Sequence, residues 1–103
     1  MSGAANAARG EAALTVAGER IVLRPSFEAL VAAEAELGPL FALVERAAEG
    51  KLGLAEIATL FCHCAQGAAP RERIGEAIAE AGLANAAPVL RVLLQQILQG
   101  RVQ

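Results

Sequence analysis

The side chains best suited to metal binding or redox chemistry are concentrated at one place in this chain of 103 residues. Cys62, His63 and Cys64 are consecutive, and they include both cysteines and the single histidine of the sequence. Thiolates and imidazoles bind zinc and also serve as nucleophiles and bases. Metal binding and thiol catalysis are therefore the two kinds of chemistry to consider here.

Helical geometry argues against both kinds of chemistry. Residues two apart on an α-helix point about 200° away from each other, so Cys62 and Cys64 cannot hold one ion or form a disulfide. Cys62 and His63 are about 100° apart, which separates a nucleophile from its base. Cys64 falls on an apolar stripe and is predicted to be a core residue, with Cys62 and His63 at the flank. We therefore expect no metal, no cofactor and no enzymatic activity; a metal- or thiol-dependent enzyme is the minor alternative.

Two other patterns are candidates for binding a protein partner. Glu72, Glu76 and Glu80 recur at every fourth position and form a like-charged strip, either a solvated face or a docking strip for a basic partner. The last predicted helix is apolar on more than one side, so it is either central in the core or covers a partner. The second pattern selects three candidate protein-binding residues, Leu90, Leu94 and Leu98.

Composition limits the function classes. Hydrophobic residues make up 55% of the chain, charged ones 19%, and the net charge of −2 includes no basic block. A nucleic-acid binder needs a clustered Lys/Arg footprint, so none is expected. No apolar run reaches the roughly 18 residues of a membrane helix, and the N-terminal residues lack the pattern of a signal peptide, so none is expected. Two cysteines without an export signal indicate reduced thiols in a cytoplasm.

A β-hairpin is predicted near the N-terminus, after a flexible leader at residues 1–10. Leu14, Val16, Ile21 and Leu23 alternate with other residues on either side of Gly18-Glu19. A two-residue loop there pairs Val16 with Ile21 and Leu14 with Leu23, and glycine at the first loop position suits a type II′ turn. The hairpin is expected over residues 12–24.

Five helices are predicted after Pro25, at about 27–37, 39–49, 54–66, 70–81 and 85–99. Their boundaries follow from capping residues: Ser26, Gly38, Pro39, Gly50, Pro70, Gly82 and Asn85. Leu83 is expected to pack back after the Gly82 cap. The predicted inward residues, in chain order, are Phe27, Leu30, Val31, Leu37; Leu40, Leu43, Val44, Ala47; Leu54, Ile57, Leu60, Phe61, Cys64; Ile74, Ile78, Ala81; and Val89, Leu90, Leu93, Ile97.

The predicted fold class is therefore α+β, mostly α, with an N-terminal β-hairpin followed by a compact cluster of about five short helices. A single globular domain is expected over residues 11–100.

The order of these segments resembles a known family. The hairpin LTVAGERIVLR is followed by SFEALVAAEAELG, then LFALVERAAEGKLGLAEIATLF, then RERIGEAIAEAGLANAAPVLRVLL. This order, over about residues 10 to 99, is similar to the small tail assembly chaperones of phages and gene transfer agents, proteins often labelled as tail tube proteins. The family stretch that matches Ala58 to Gln66 is typically apolar and lacks cysteine and histidine, so the Cys-His-Cys triplet departs from the pattern.

The resemblance implies a non-enzymatic role in building a phage-type tail. Proteins of this kind are thought to coat the tape-measure protein, keep it soluble and help to recruit tail tube subunits. The expected partners are thus the tape-measure and tail tube proteins, in the cytoplasm of a bacterial host. A structural tail component retained in the particle is the alternative. The oligomeric state is left open.

Overall fold

A β-hairpin followed by five helices is the architecture of the chain, which confirms the predicted fold class. The computed structural model describes residues 12–16, 18–65 and 70–99, and the predicted leader at residues 1–10 lies outside them. The strands are β1 (Ala12–Val16) and β2 (Glu19–Leu23). The helices are α1 (Phe27–Leu37), α2 (Leu40–Ala48), α3 (Leu54–Cys64), α4 (Arg71–Ala81) and α5 (Leu83–Gln99).

The hairpin pairs in a different register from the predicted one. Leu14 lies opposite Ile21, and Val16 lies opposite Glu19, so Glu19 belongs to β2 and not to the loop. Gly18 has a φ of 83° and occupies the second loop position, where the left-handed conformation favours glycine. Since the register differs by two residues, side chains keep their faces. Leu14 and Ile21 are buried, as expected.

Helix α3 lies at the centre of the fold. It packs against α1 on one side and α4 on the other, and Leu60, Phe61 and Cys64 have no exposed surface. The backbone N–H of Arg24, just after β2, donates to the carbonyl of Cys64 at 2.7 Å. That bond satisfies a terminal carbonyl of α3 and attaches the hairpin to the helix core.

The buried face of α1 is rotated away from the predicted one. Phe27 is 85% exposed and Val31 50% exposed, whereas Ala33 is fully buried and Leu30 and Leu37 pack against the core. On an ideal helix, Phe27 and Val31 lie roughly 90–130° from the face that Leu30, Ala33 and Leu37 share. The small side chain of Ala33 allows α1 to approach α3 closely, and that contact selects the face.

The junction between α4 and α5 also differs from the prediction. Gly82, with a φ of 92°, is the single residue between α4 and α5. The last helix therefore begins at Leu83 instead of residue 85. Asn85 therefore lies inside α5, and its side-chain amide donates to the terminal carbonyl of Ala81 at 2.6 Å. Leu83 is 56% exposed and does not pack back onto the core.

Smaller differences concern the ends of helices. α3 ends at Cys64, because Ala65 is extended and forms an isolated antiparallel bridge with Leu23; residue 66, the predicted end, lies outside the described residues. Leu54 and Ala81, both predicted to face inward, are exposed at the first position of α3 and the last of α4. No helix in the described part of the chain is long and apolar enough to cross a membrane.

Candidate protein-binding groove

An apolar cavity of about 530 Å³ opens between α2 and α5. These two helices are not among the closely packed helix pairs of the fold, so the space between them is not filled by their own side chains. The lining residues come from α2 and α5: Val44, Ala47, Ala48, Ala87, Leu90, Arg91, Leu94, Gln95 and Leu98.

Two smaller cavities adjoin this one and extend it. One of about 170 Å³ shares Ala47, Ala87 and Leu90 with the first. The other, of about 240 Å³, shares Val44 and Leu98 and also involves α1. We refer to the three adjoining cavities as the α2/α5 groove. Its size is within the range of ordinary ligand and partner sites.

Helix α2 is held beside the groove by one buried side chain and by polar contacts near each end. Leu43 is 1% exposed and anchors the middle of the helix. At its N-terminus the backbone N–H of Leu40 donates to Oε2 of Glu34 at 3.1 Å, and near its C-terminus Arg46 donates to Glu56 at 2.5 Å. These contacts position α2 without closing the gap to α5.

Glu56 links α2 to the start of α3. Its carboxylate accepts the backbone N–H of Gly53 at 3.0 Å as well as the guanidinium of Arg46. These two donors, Gly53 first and Arg46 second, hold the pKa of Glu56 below its usual value. The carboxylate therefore stays charged and keeps both contacts at neutral pH.

The groove contains two charged residues and is otherwise apolar or uncharged. Arg91 lines its largest cavity, and Glu34 lines the adjoining cavity at the Leu98 end. Within residues 12–16, 18–65 and 70–99, Arg91 makes no salt bridge or hydrogen bond through its side chain. The groove thus has a positive charge, that of Arg91, near its middle and a negative charge, that of Glu34, near one end.

The three leucines proposed from sequence lie together in this groove. Leu90 and Leu94 are half-buried and pack partly against the core, while Leu98 is 51% exposed. One side of α5 buries Leu93 completely and an adjacent side lines the groove, so α5 is a core helix on one side, and the alternative that it covers a partner stays a prediction.

The acidic strip predicted from the sequence lies outside the α2/α5 groove. Glu72, Glu76 and Glu80 are exposed on α4, and none of them lines the α2/α5 groove. The structure therefore does not bring the two sets of candidate residues into one site, and the docking role of the strip stays a prediction.

The Cys-His-Cys triplet occupies the last turn of α3. Cys64 is fully buried, as predicted, and burial raises the pKa of its thiol to about 12, which keeps it protonated and unreactive. Cys62 is half-buried, and both thiols are free. The described residues contain no group of three or more His, Cys, Asp or Glu side chains that could hold a metal ion.

His63 has a partner that the sequence did not indicate. Its Nε2 lies 2.7 Å from Oε1 of Glu36 at the end of α1. Arg71, at the start of α4, donates to both oxygens of the same carboxylate, at 2.6 and 3.0 Å. The Arg71 hydrogen bonds, followed by that of His63, hold the pKa of Glu36 below its usual value. This cluster joins the ends of three helices, so His63 lies at the flank of α3 but also contributes to a contact between helices.

The α2 side of the groove was missed by sequence reasoning. Val44 and Ala47 were assigned to a closed core, and Phe41, which is 77% exposed, was not assigned at all. The available signal was the pair of small residues Ala47 and Ala48, because small side chains on one helix leave space unless a larger neighbour fills it.

Family comparison gives these features a context. The family model described as phage tail tube protein, GTA-gp10, matches residues 9–100, nearly the entire chain. This chain belongs to the GTA-gp10 phage tail tube protein family. Neither a curated protein nor a solved structure matches it. Membership of the GTA-gp10 family gives the chain a role connected with phage-type tails, and such a role requires assembly with other tail proteins.

Proposed function

We propose that this protein is a non-enzymatic tail assembly chaperone that binds the tape-measure protein in the cytoplasm of the bacterial host and aids assembly of the tail tube. The α2/α5 groove is the observation that carries the proposal. A chaperone for a long helical protein needs an apolar surface that stays open in its own folded state, and the groove provides one.

The groove fits this task better than the rest of the surface does. Its walls are helices lined by leucine, valine and alanine, which bind through shape and apolar burial. The exposed aromatic ring of Phe41 stands at its edge, in the cavity that Leu98 shares. Aromatic residues are enriched at the energetically important points of protein interfaces.

Co-expression with a tape-measure protein from the same genome tests the proposal. Leu98→Glu places a charge in the groove at a residue that is already 51% exposed, so the variant should fold normally. We expect it to weaken binding at least about tenfold, because an unpaired carboxylate would have to be desolvated. Leu94 is less suitable for this test because it also packs against the core.

Val31→Glu is the matched control. Val31 is 50% exposed on α1 and lines none of the three cavities. We expect this variant to co-purify with the tape-measure protein as the wild type does. Equal binding by the Leu98→Glu and Val31→Glu variants would exclude the groove, and absence of any wild-type complex would exclude the chaperone role.

A structural tail component is the second candidate. The description of the matching family as a tail tube protein favours it, as do the exposed Phe27 and Phe41, which subunit contacts could cover. Mass spectrometry of purified particles separates the two. A tube component would be present in many copies, whereas a chaperone would be absent or far below stoichiometric amounts.

A further inference from the structure

From the shape and charges of the α2/α5 groove, we infer that its occupant is one amphipathic α-helix of another protein, about three turns long, with a carboxylate that faces Arg91 and a basic side chain that faces Glu34. The inference deepens the proposed function and rests on it. It adds the conformation, length and charge pattern of the bound segment.

The length follows from the cavity walls. The main cavity extends from Ala87 to Leu98 along α5, which is about 16 Å at 1.5 Å per residue. A straight helix that covers this distance has about eleven residues, or three turns. An apolar stripe at spacings of three and four would face the leucines and alanines of the groove.

The conformation follows from the nature of the walls. Every residue that lines the main cavity belongs to α2 or α5, so the walls are helix surfaces that present mainly side chains. An extended segment would find no strand edge here with which to pair. A helix satisfies its own backbone hydrogen bonds and needs only side-chain contacts, so it is the conformation that this groove accepts.

The charge pattern follows from Arg91 and Glu34. Covering an arginine with apolar groups alone has a desolvation cost, and a carboxylate from the occupant removes it. Glu34 lines the cavity that Leu98 shares, and one of its oxygens already accepts the Leu40 N–H. Leu98, which lines the same cavity as Glu34, is two turns beyond Arg91 on α5, so the basic residue of the occupant should lie roughly two turns from its carboxylate.

A second copy of this chain is the main competing occupant. The exposed apolar face of α1, with Phe27 and Val31, could insert into the groove of a neighbour. Such a contact would join two different surfaces and continue from copy to copy. Its signature would be association of the protein alone with increasing concentration.

Peptide binding tests the inference. Overlapping peptides of about 20 residues from the tape-measure protein of the same genome are labelled, and binding to the full chain is measured by fluorescence anisotropy. We expect the tightest peptide to have the charge spacing described above. Arg91→Glu should weaken the binding of this peptide about fivefold. Replacing the peptide's carboxylate residue with lysine should restore most of the affinity for the Arg91→Glu variant, because the two charges are then again opposite.

Arg73→Glu is the control, because Arg73 is an exposed arginine on α4 that does not line the groove. This variant should bind the peptide within about twofold of the wild-type affinity, because a charge on α4 changes the electrostatic potential at the groove only weakly. Circular dichroism of both variants checks that the fold is intact.

The outcomes separate this inference from the proposed function. If the tape-measure protein co-purifies with the wild type but none of its peptides binds, the chaperone role stands and the groove helix is wrong. If neither the protein nor any peptide binds, the chaperone role itself is wrong. If a peptide binds but the Arg91→Glu and Arg73→Glu variants behave alike, the chaperone role stands and the charge-paired groove helix is wrong. If sedimentation shows self-association that Arg91→Glu abolishes and peptides do not compete with it, the occupant is a second copy.

Discussion

The α3–α4 side and the α2–α5 side of this domain are built from similar residues and packed very differently. Between α3 and α4, Phe61, Ile74 and Ile78 are completely buried, and Gly75 faces Ala58. Between α2 and α5, similar apolar side chains line a cavity of about 530 Å³. The difference shows that the fold separates its stabilising contacts from its candidate binding surface.

This separation has a physical cause. Burial of apolar surface on the α3–α4 side stabilises the fold directly. The α2–α5 side needs only the buried Leu43 and two polar contacts to position α2. Substitutions should therefore affect stability on one side and partner binding on the other.

The largest expected effect is on the packed side. Phe61→Ala removes a completely buried ring and should lower the free energy of unfolding by about 3–5 kcal/mol, through lost burial and the cavity left behind. Urea denaturation followed by circular dichroism measures it.

Phe41→Ala is the control for that experiment. The ring of Phe41 is 77% exposed, and its loss should change the free energy of unfolding by less than about 0.5 kcal/mol. Comparable losses for both phenylalanines would mean that the groove side contributes to stability as much as the core, and the comparison would fail.

An intermediate effect, of opposite sign, is expected at Gly75. A Cβ added there would lie 3.6 Å from Cβ of Ala58, an ordinary van der Waals contact. Gly75→Ala should therefore raise the free energy of unfolding by about 0.5–1 kcal/mol, because alanine loses less backbone entropy in a helix.

Gly82→Ala gives the contrasting result for the same change of residue. Gly82 has a φ of 92°, so alanine there should cost about 1–2 kcal/mol. A destabilised Gly75→Ala variant would show that α3 and α4 pack more tightly than their contact at Ala58 implies.

The smallest effect concerns pH and the cluster at Glu36. Arg71 and then His63 lower the pKa of Glu36, so this group stabilises the fold above its unfolded-state pKa, and the contribution is lost as pH falls through the lower folded-state value. Acidification from about pH 5 to pH 3 should therefore destabilise the wild type more than Glu36→Gln.

Thermal unfolding at several pH values measures this difference. Glu76→Gln, which removes an exposed carboxyl from α4, should retain the pH dependence of the wild type. Identical profiles for the wild type and Glu36→Gln would show that the three-helix cluster contributes nothing to acid stability.

Some errors of sequence interpretation have a common origin in contacts between elements. The alternation in the hairpin was recognised correctly, but its loop was placed one residue too late, because Gly18 suits either loop position and only pairing selects one. Asn85 has the chemistry of an N-cap, yet Gly82 starts α5 earlier and Asn85 caps the end of α4 instead.

The candidate site was partly accessible from the sequence. The surplus of leucines on α5 indicated a second apolar side, and Leu90, Leu94 and Leu98 do line one groove. The α2 wall of the groove was not identified, because a half-buried Val44 and a core valine have the same local pattern, and the small residues Ala47 and Ala48 were its only signal. The position of Arg91 inside the groove depends on where α2 lies.

The sequence by itself determined the secondary structure elements of this protein. Alternation of apolar residues indicated the hairpin, and helical periodicity with glycine or proline at the boundaries indicated five helices. The spacing of apolar residues around Cys64 placed this residue in the core. These are local properties, because periodicity and capping depend on residues a few positions apart. The tertiary structure alone decided which apolar faces are covered. The gap between α2 and α5, and the meeting of Glu36, His63 and Arg71, depend on how distant helices are oriented, which no local pattern encodes.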